Sequence, residues 1–272
     1  MPDIALTASA RAAVLSLQQT NSLIDRTNQR LSSGLKVASP IDDAKVFFEA
    51  KALNDRGADL SEKKDGIDQG ISSLSAALEA VNSIDSLVRQ AKGIALSAKT
   101  ATGTELSNLV TQYNEILSQV DNLTTDASYQ GLNLVNGTGS SLDVSFSNLT
   151  GSVLNVSSVD LTTATSGLSL TSAAGFSVAT TIDDSITEID SALNTLRSNA
   201  KTLGSNVSLL QTRLDFTGKY VNVLEQGASK LTLADVTEEG ANLVALQTRQ
   251  QLGISALSFA GKSEQQVLAL FR

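Results

Sequence analysis

Three Ser-x-x-Lys spacings, Ser33/Lys36, Ser61/Lys64 and Ser198/Lys201, set a hydroxyl and an amine at the separation used by a Ser-Lys nucleophile. In so serine-rich a chain such spacings arise by chance. Neither Ser-Asp-Asn nor Lys-Thr-Gly accompanies them, so no catalytic residue is assigned. Gly137-Thr138-Gly139 begins a phosphate-cradling pattern, but Leu142 stands where the third glycine belongs and a strand pattern follows. A turn is the simpler account. Asp42-Asp43 and Asp183-Asp184 could pair as acid and base, yet each pair is expected to open a helix, where carboxylates favour the positive end of the macrodipole. Asn122, Asn136, Asn148, Asn155 and Asn206 lie in Asn-x-Ser/Thr sequons, which abundant Ser and Thr make common.

The missing residues narrow the chemistry further. The chain has neither histidine nor cysteine, which removes disulfides, thiolate catalysis, His-based acid/base work and the ordinary zinc sites. No metal and no cofactor is expected. Twenty Lys and Arg against twenty-eight Asp and Glu give a net charge of −8, which repels nucleic acid and anionic membrane alike. Met1 to Leu17 is interrupted by Asp3 and Arg11 and does not read as a Sec signal, and no eighteen-residue apolar run occurs.

Two prolines and eighteen glycines in 272 residues leave long stretches free of helix breakers. In one of them, Ile186, Ile189, Leu193, Leu196, Ala200, Leu203, Val207, Leu210, Leu214, Thr217, Val221 and Leu224 alternate steps of three and four. That is a coiled-coil seam with one polar member. A second helix is expected from Ser39 as N-cap and Pro40 as first helical residue to about Lys99, roughly 80 Å at 1.5 Å per residue. Its seam runs through Ile71, Leu74, Leu78 and Val81, then resumes at Ile84, Val88, Ala91, Ala95 and Ala98 after a stutter. Thr102-Gly103-Thr104 breaks the chain and starts a third helix, with Leu106, Leu109, Tyr113, Ile116, Val120 and Leu123 on one face. It should fold back on the second.

From Gly131 to about Thr181 the helical period vanishes, and alternation at Leu142–Phe146 and Val153–Val156 reads as hairpin-like strands. The predicted fold is therefore mainly α: a long antiparallel helical coiled-coil bundle with a small β-hairpin region and paired terminal helices. Between Lys99 and Arg197 there is no Lys or Arg but ten acidic residues, so the middle of the chain is its acidic, solvent-facing part.

The ends differ. Val14, Leu17, Ile24, Leu31 and Leu35 follow heptad spacing, with Asn21 and Asn28 on the seam of Val14 and Leu35, where an Asn fixes register and partner number. Near the other end, Leu243, Leu246, Gln250, Gly253, Leu257, Ala260, Glu264, Val267 and Phe271 keep the three-four step, while Leu252, Ile254, Leu268 and Leu270 add apolar surface off that face. Only Arg249, Lys262, Glu264 and Arg272 are charged between Gly240 and Arg272. Helices this apolar must pair with each other and still bury surface elsewhere. Other copies of the same chain are the economical partner, and a contact using different patches on the two copies, repeated by a rotation that does not close, gives a helical filament. Arg30, Arg249 and Arg272 are candidates for ion pairs at such an interface, with a solvated or channel-lining charge an equal alternative for each.

At Arg30-Leu31-Ser32-Ser33-Gly34-Leu35 the sequence resembles the signature of bacterial flagellins. Ile41-Asp42-Asp43-Ala44, Asp65-Gly66-Ile67 to Leu74, the turn Tyr129 to Gly137 and the ending Gln266-Val267-Leu268-Ala269-Leu270-Phe271-Arg272 resemble further family segments in the same order. Phe47 and Phe48 depart from it, standing where small residues are usual. The resemblance implies a structural subunit without catalysis that assembles into the flagellar filament for motility. Residues 1–42 with 232–272 would form the inner tube, 43–135 with 182–231 a helical outer tube, and 136–181 a small cap. It also implies an extracellular location reached by flagellar type III export without a cleaved signal peptide. Implied partners are other copies, an export chaperone, the filament cap and hook-junction proteins, with neither nucleic acid nor membrane. The assembly residues expected are Val14, Leu17, Asn21, Ile24, Asn28, Leu31, Ser32, Ser33, Gly34, Leu35, Leu243, Leu246, Leu257, Val267, Leu270, Phe271 and Arg272. Val88 to Ile94 lacks the Arg-Glu-Leu pattern that the innate flagellin receptor reads, which implies weak recognition. The competing readings are the hook–filament junction protein of the same superfamily, a coiled-coil adhesin, and a Ser-Lys hydrolase.

Overall fold

The computed structural model describes residues 8–148, 151–173, 176 and 179–270. Five helices are present among them: α1 (Ala8–Ser33), α2 (Ala44–Ala98), α3 (Gly103–Asp126), α4 (Ala179–Thr232) and α5 (Val236–Leu270). Four short strands stand between α3 and α4: β1 (Ser128–Tyr129), β2 (Leu132–Asn133), β3 (Ser141–Ser145) and β4 (Val153–Ser157). None of the described helices is long and apolar enough to cross a membrane. The chain packs as two units, residues 57–222 and residues 1–56 with 223–272.

Residues 57–222 hold the larger core. The seam positions Leu74, Val81, Ile84, Val88, Ala91, Ala95 and Ala98 of α2 are buried, as are Ile189, Leu193, Leu196, Leu203 and Leu210 of α4. Thr217, the polar member of that seam, is buried with them. From α3 come Tyr113, Leu117 and Val120. The direction of α2 against α4 follows from two ion pairs, Lys92 with Asp190 and Lys99 with Asp183: one helix advances by seven while the other retreats by seven, so they run antiparallel.

β3 and β4 form an antiparallel hairpin with Leu142 opposite Val156 and Val144 opposite Leu154, close to the alternation in the sequence. Val144, Phe146 and Val156 face the core. The helix permits their approach through Gly70, where a Cβ would lie 2.6 Å from Val144 Cγ2. β1 and β2 form a second, two-residue hairpin that the sequence reading subsumed in a turn. It is anchored by the buried Asn133, whose amide donates to the Thr124 carbonyl at 2.7 Å and whose oxygen accepts from Val135 N–H at 2.9 Å. Gly137-Thr138-Gly139 is a turn, with φ of 67° and 76° at its glycines.

Two helix starts need correction. Ser39 does not cap α2, and Pro40 is not its first residue: Ser39-Pro40-Ile41-Asp42 is a separate turn, closed by Asp42 N–H donating to the Ser39 carbonyl at 3.1 Å. Asp43 is the cap, accepting from Val46 N–H at 3.1 Å. Asp183 and Asp184 lie in the second turn of α4, since that helix begins at Ala179. Asp183 is instead held by Lys99 at 2.5 Å.

Residues 1–56 with 223–272 bury much less. The fully buried apolar side chains described there are Ala10, Val37, Ala50, Leu224 and Ala228. α1 packs along α5, and the chain leaving α1 is tied to the α4–α5 joint.

Candidate assembly surface

The joint is built by the Arg30–Leu35 segment. Gly34 ends α1 at φ 70°, a left-handed conformation that side chains resist, and its N–H donates to the Arg30 carbonyl at 2.8 Å. The reversal lets Lys36 N–H donate to the Thr232 carbonyl at 2.7 Å and Ala234 N–H to the Gly34 carbonyl at 3.0 Å, with Leu35 bridged to Leu233. Ser33 Oγ accepts from Leu35 N–H at 3.2 Å, which gives this serine a structural partner. Ser32 is exposed, and Leu31 and Leu35 are half-buried. The serines and lysines of all three Ser-x-x-Lys spacings are exposed.

On the other side of the joint, Asp235 Oδ1 caps α5 by accepting from Thr237 N–H at 2.9 Å and Glu238 N–H at 3.2 Å. Glu239 is buried, and its Oε1 receives Arg30 Nη1 at 2.8 Å. The Arg30 Nε has no acceptor. Arg30, read as either an interface ion pair or a solvated or channel-lining charge, is paired within the chain. Sequence reading missed Glu239 because an acidic residue in a first helical turn is usually solvated there.

The α5 line reads as expected. Leu243, Leu246, Gln250, Gly253 and Leu257 are half-buried, and Gly253 lies so near α1 that a Cβ on it would stand 2.9 Å from Leu17 Cδ2. On α1 the apolar line is as expected but the buried polar positions differ by one residue. Asn21 and Asn28 are exposed, while Thr20 and Thr27 are the buried polar positions, between the half-buried Leu17, Ile24 and Leu31. Thr20 tolerates burial because its hydroxyl donates to the Ser16 carbonyl at 2.9 Å in its own helix. An asparagine cannot satisfy its amide that way; Asn21 sits beside the seam and accepts from Gln250 Nε2 at 2.7 Å. Val14 is half-buried. Val267 and Leu270 fall on the last turns of α5, but their side chains, with Phe271 and Arg272, lie outside the described residues.

Pairing leaves several large apolar side chains uncovered. Leu15 and Leu23 on α1, and Val244, Leu252, Ile254 and Phe259 on α5, are between 42% and 73% exposed. Ile41, Phe48, Val223, Leu233 and Val236 are exposed in the same unit. Full burial of a wholly exposed side chain of this kind gains roughly 1.5–3 kcal/mol, and these partly covered ones have a fraction of that still to gain. Residues 57–222 are longer, yet show only Leu96, Val153, Leu209 and Phe216 as exposed large apolar residues among those described. Phe47 and Phe48 meet edge to face with centroids 5.6 Å apart.

Two features punctuate this surface. A cleft of about 330 Å³ lies between α1 and α5, lined by Leu23, Arg26, Thr27, Arg30, Glu239, Asn242, Ala245, Leu246 and Arg249. Beyond α1, the Ser39–Asp42 turn presents Ile41 at 95% exposure. The Asp42 carboxylate accepts from Ser39 N–H and Oγ, both at 3.0 Å, and from Ala38 N–H at 3.2 Å. The Ser39 hydroxyl first, then these amides and the positive field of Arg30, hold Asp42 below the usual carboxylate range. No group of three or more Asp and Glu able to hold a metal occurs among the described residues.

The sequence is similar to known proteins. The family described as "Bacterial flagellin N-terminal helical region" matches residues 4–140, and "Bacterial flagellin C-terminal helical region" matches residues 186–271. Flagellin FljK of Caulobacter vibrioides is 33% identical over 267 residues, 97% of each chain. A flagellin of Brucella melitensis is 30% identical over 281 aligned positions covering both chains fully. The crystal structure of Bacillus cereus flagellin superposes with a TM-score of 0.49 and 19% identity, over 56% of this chain and 88% of that one.

Proposed function

Since the chain belongs to the bacterial flagellin family, and is thereby a structural subunit that self-assembles into the extracellular flagellar filament, we propose that its terminal unit is the polymerisation surface. The apolar side chains left exposed on α1 and α5 carry this reading. In water they are a liability; against neighbouring copies they are the cohesive energy of the polymer. In this assignment residues 1–42 with 232–272 line the inner tube, 43–135 with 182–231 build the outer tube, and 136–181 cap it. The contact residues are Val14, Leu17, Asn21, Ile24, Asn28, Leu31 to Leu35, Leu243, Leu246, Leu257, Val267, Leu270, Phe271 and Arg272. The chain does this work without catalysis. It leaves the cell by flagellar type III export without a cleaved signal peptide, and meets an export chaperone, hook-junction proteins and the filament cap on the way.

Seeding purified monomer with short filament fragments and following length by electron microscopy tests the proposal. Full-length chain should elongate the seeds without limit. Chain lacking residues 240–272 should not, while its circular dichroism remains strongly helical. Elongation by the shortened chain overturns the assignment.

A further inference from the structure

We propose that Ile41 of one copy, with the Asp43 carboxylate two residues on, inserts into the cleft between α1 and α5 of a second copy. The inference rests on the polymerisation reading and specifies one contact within it. The knob is preorganised: Pro40 fixes one turn dihedral, the Ser39–Asp42 hydrogen bond closes the turn, and three donors hold the Asp42 carboxylate. A β-branched side chain 95% exposed at the tip of so constrained a turn is shaped for a socket.

The cleft complements it in size and charge. Leu23, Ala245 and Leu246 supply an apolar floor, and about 330 Å³ accommodates one aliphatic side chain with a neighbouring carboxylate. Arg26, Arg30 and Arg249 face the same space against the single carboxylate of Glu239, which Arg30 already engages. The excess positive charge calls for an acidic visitor, and Asp43, two residues after Ile41, is exposed with a single hydrogen bond recorded to its carboxylate, from Val46 N–H. The turn does not fill its own cleft, because Ile41 remains open to solvent within the chain. The two patches differ, so each copy offers a knob to one neighbour and a socket to another, as an unclosed helical array requires.

The absence of native cysteine gives a clean test. Wild-type chain is mixed with minor amounts of I41C and A245C chains, elongated from seeds, oxidised mildly and analysed by mass. The expected product is the mixed Ile41→Cys/Ala245→Cys dimer in filaments and not in unpolymerised chain at equal concentration. Filaments without that dimer, or the dimer forming equally in unpolymerised chain, overturn the inference and leave the polymerisation reading intact. If wild-type chain itself fails to elongate, both fall. A double-mutant cycle gives a second readout: D43N, which keeps a capping side chain, and R249Q should each slow seeded elongation about fivefold, and the double variant no more than either. A multiplicative loss of about twenty-fivefold overturns the pairing.

Discussion

Gly137 shows how one residue fixes the non-helical part of the chain. Its φ is 67°, its N–H donates to the Val159 carbonyl at 3.0 Å, and an added Cβ would lie 2.6 Å from Asp160 Cβ. Gly137→Ala is expected to cost about 1–3 kcal/mol, read as an earlier midpoint in thermal unfolding of residues 57–222. Tyr113 titrates with the fold. Burial pushes its hydroxyl up to about 12, and the negative charge of Glu188 adds to this against an opposing contribution from the Ser185 hydroxyl. The unfolded phenol ionises near its ordinary value of 10.0 while the folded one stays protonated. Stability from this group is therefore complete below pH 10 and is lost as pH rises from 10 toward 12. Tyr113→Phe should be tolerated at neutral pH and should flatten the alkaline limb of a pH-denaturation profile; an unchanged limb would refute the coupling. Asp160 works in the opposite sense: burial raises it, but the Ser166 and Thr162 hydroxyls and the Thr162 N–H outweigh that and hold it below 3.8. The loop it organises is fully supported above that value and loosens as pH falls through the lower folded one.

Among the helices, the sequence was most legible where one partner face dominates. The α4 seam was visible from spacing because every third or fourth residue from Ile186 to Leu214 meets the same core, with Thr217 buried beyond them. On α1 the apolar line Val14, Leu17, Ile24 and Leu31 was legible, but Asn21 and Asn28 were placed between them where Thr20 and Thr27, one residue earlier, are buried, because spacing alone does not say which of two adjacent polar positions faces inward. The start of α2 misled for a different reason: Ser39 and Pro40 satisfy the statistics of a helix start, yet the Asp42 carboxylate captures the Ala38 and Ser39 amides and closes a turn first. β1 and β2 are two residues each, too short to alternate. Of the candidate surface, the Arg30–Leu35 segment and the α5 line were readable, whereas Glu239, Thr20 and Thr27 emerged only from packing. At this scale Glu239→Gln, which weakens the bond to Arg30 inside a half-buried pair, should lower the depolymerisation temperature of filaments and leave the melting of residues 57–222 unchanged. In the stretch compared with the innate receptor's target, Arg89 is held by Asp85 at 2.6 Å and Lys92 by Asp190. A reporter-cell assay is expected to show weak activation, and full-strength activation would contradict it.

For the whole molecule, the proposed assembly surface gives cohesion and solubility to different parts of the chain. Residues 57–222 bury their large apolar side chains and include the stretch without Lys or Arg. The other unit keeps a small core and a large unspent surface. At high dilution, hydrogen exchange should be slow along residues 67–98 and 189–210 and fast in α1 and α5, becoming slow in all of them after polymerisation; terminal helices already protected in dilute chain would refute the proposal. The discontinuity of that second unit has a temporal consequence. Its pieces come from opposite extremities of the polypeptide, and the bonds from Lys36 to Thr232 and from Ala234 to Gly34 unite them. During synthesis the segment that α1 pairs with is made last, so α1 cannot be seated in this unit until residues 232–270 have followed it.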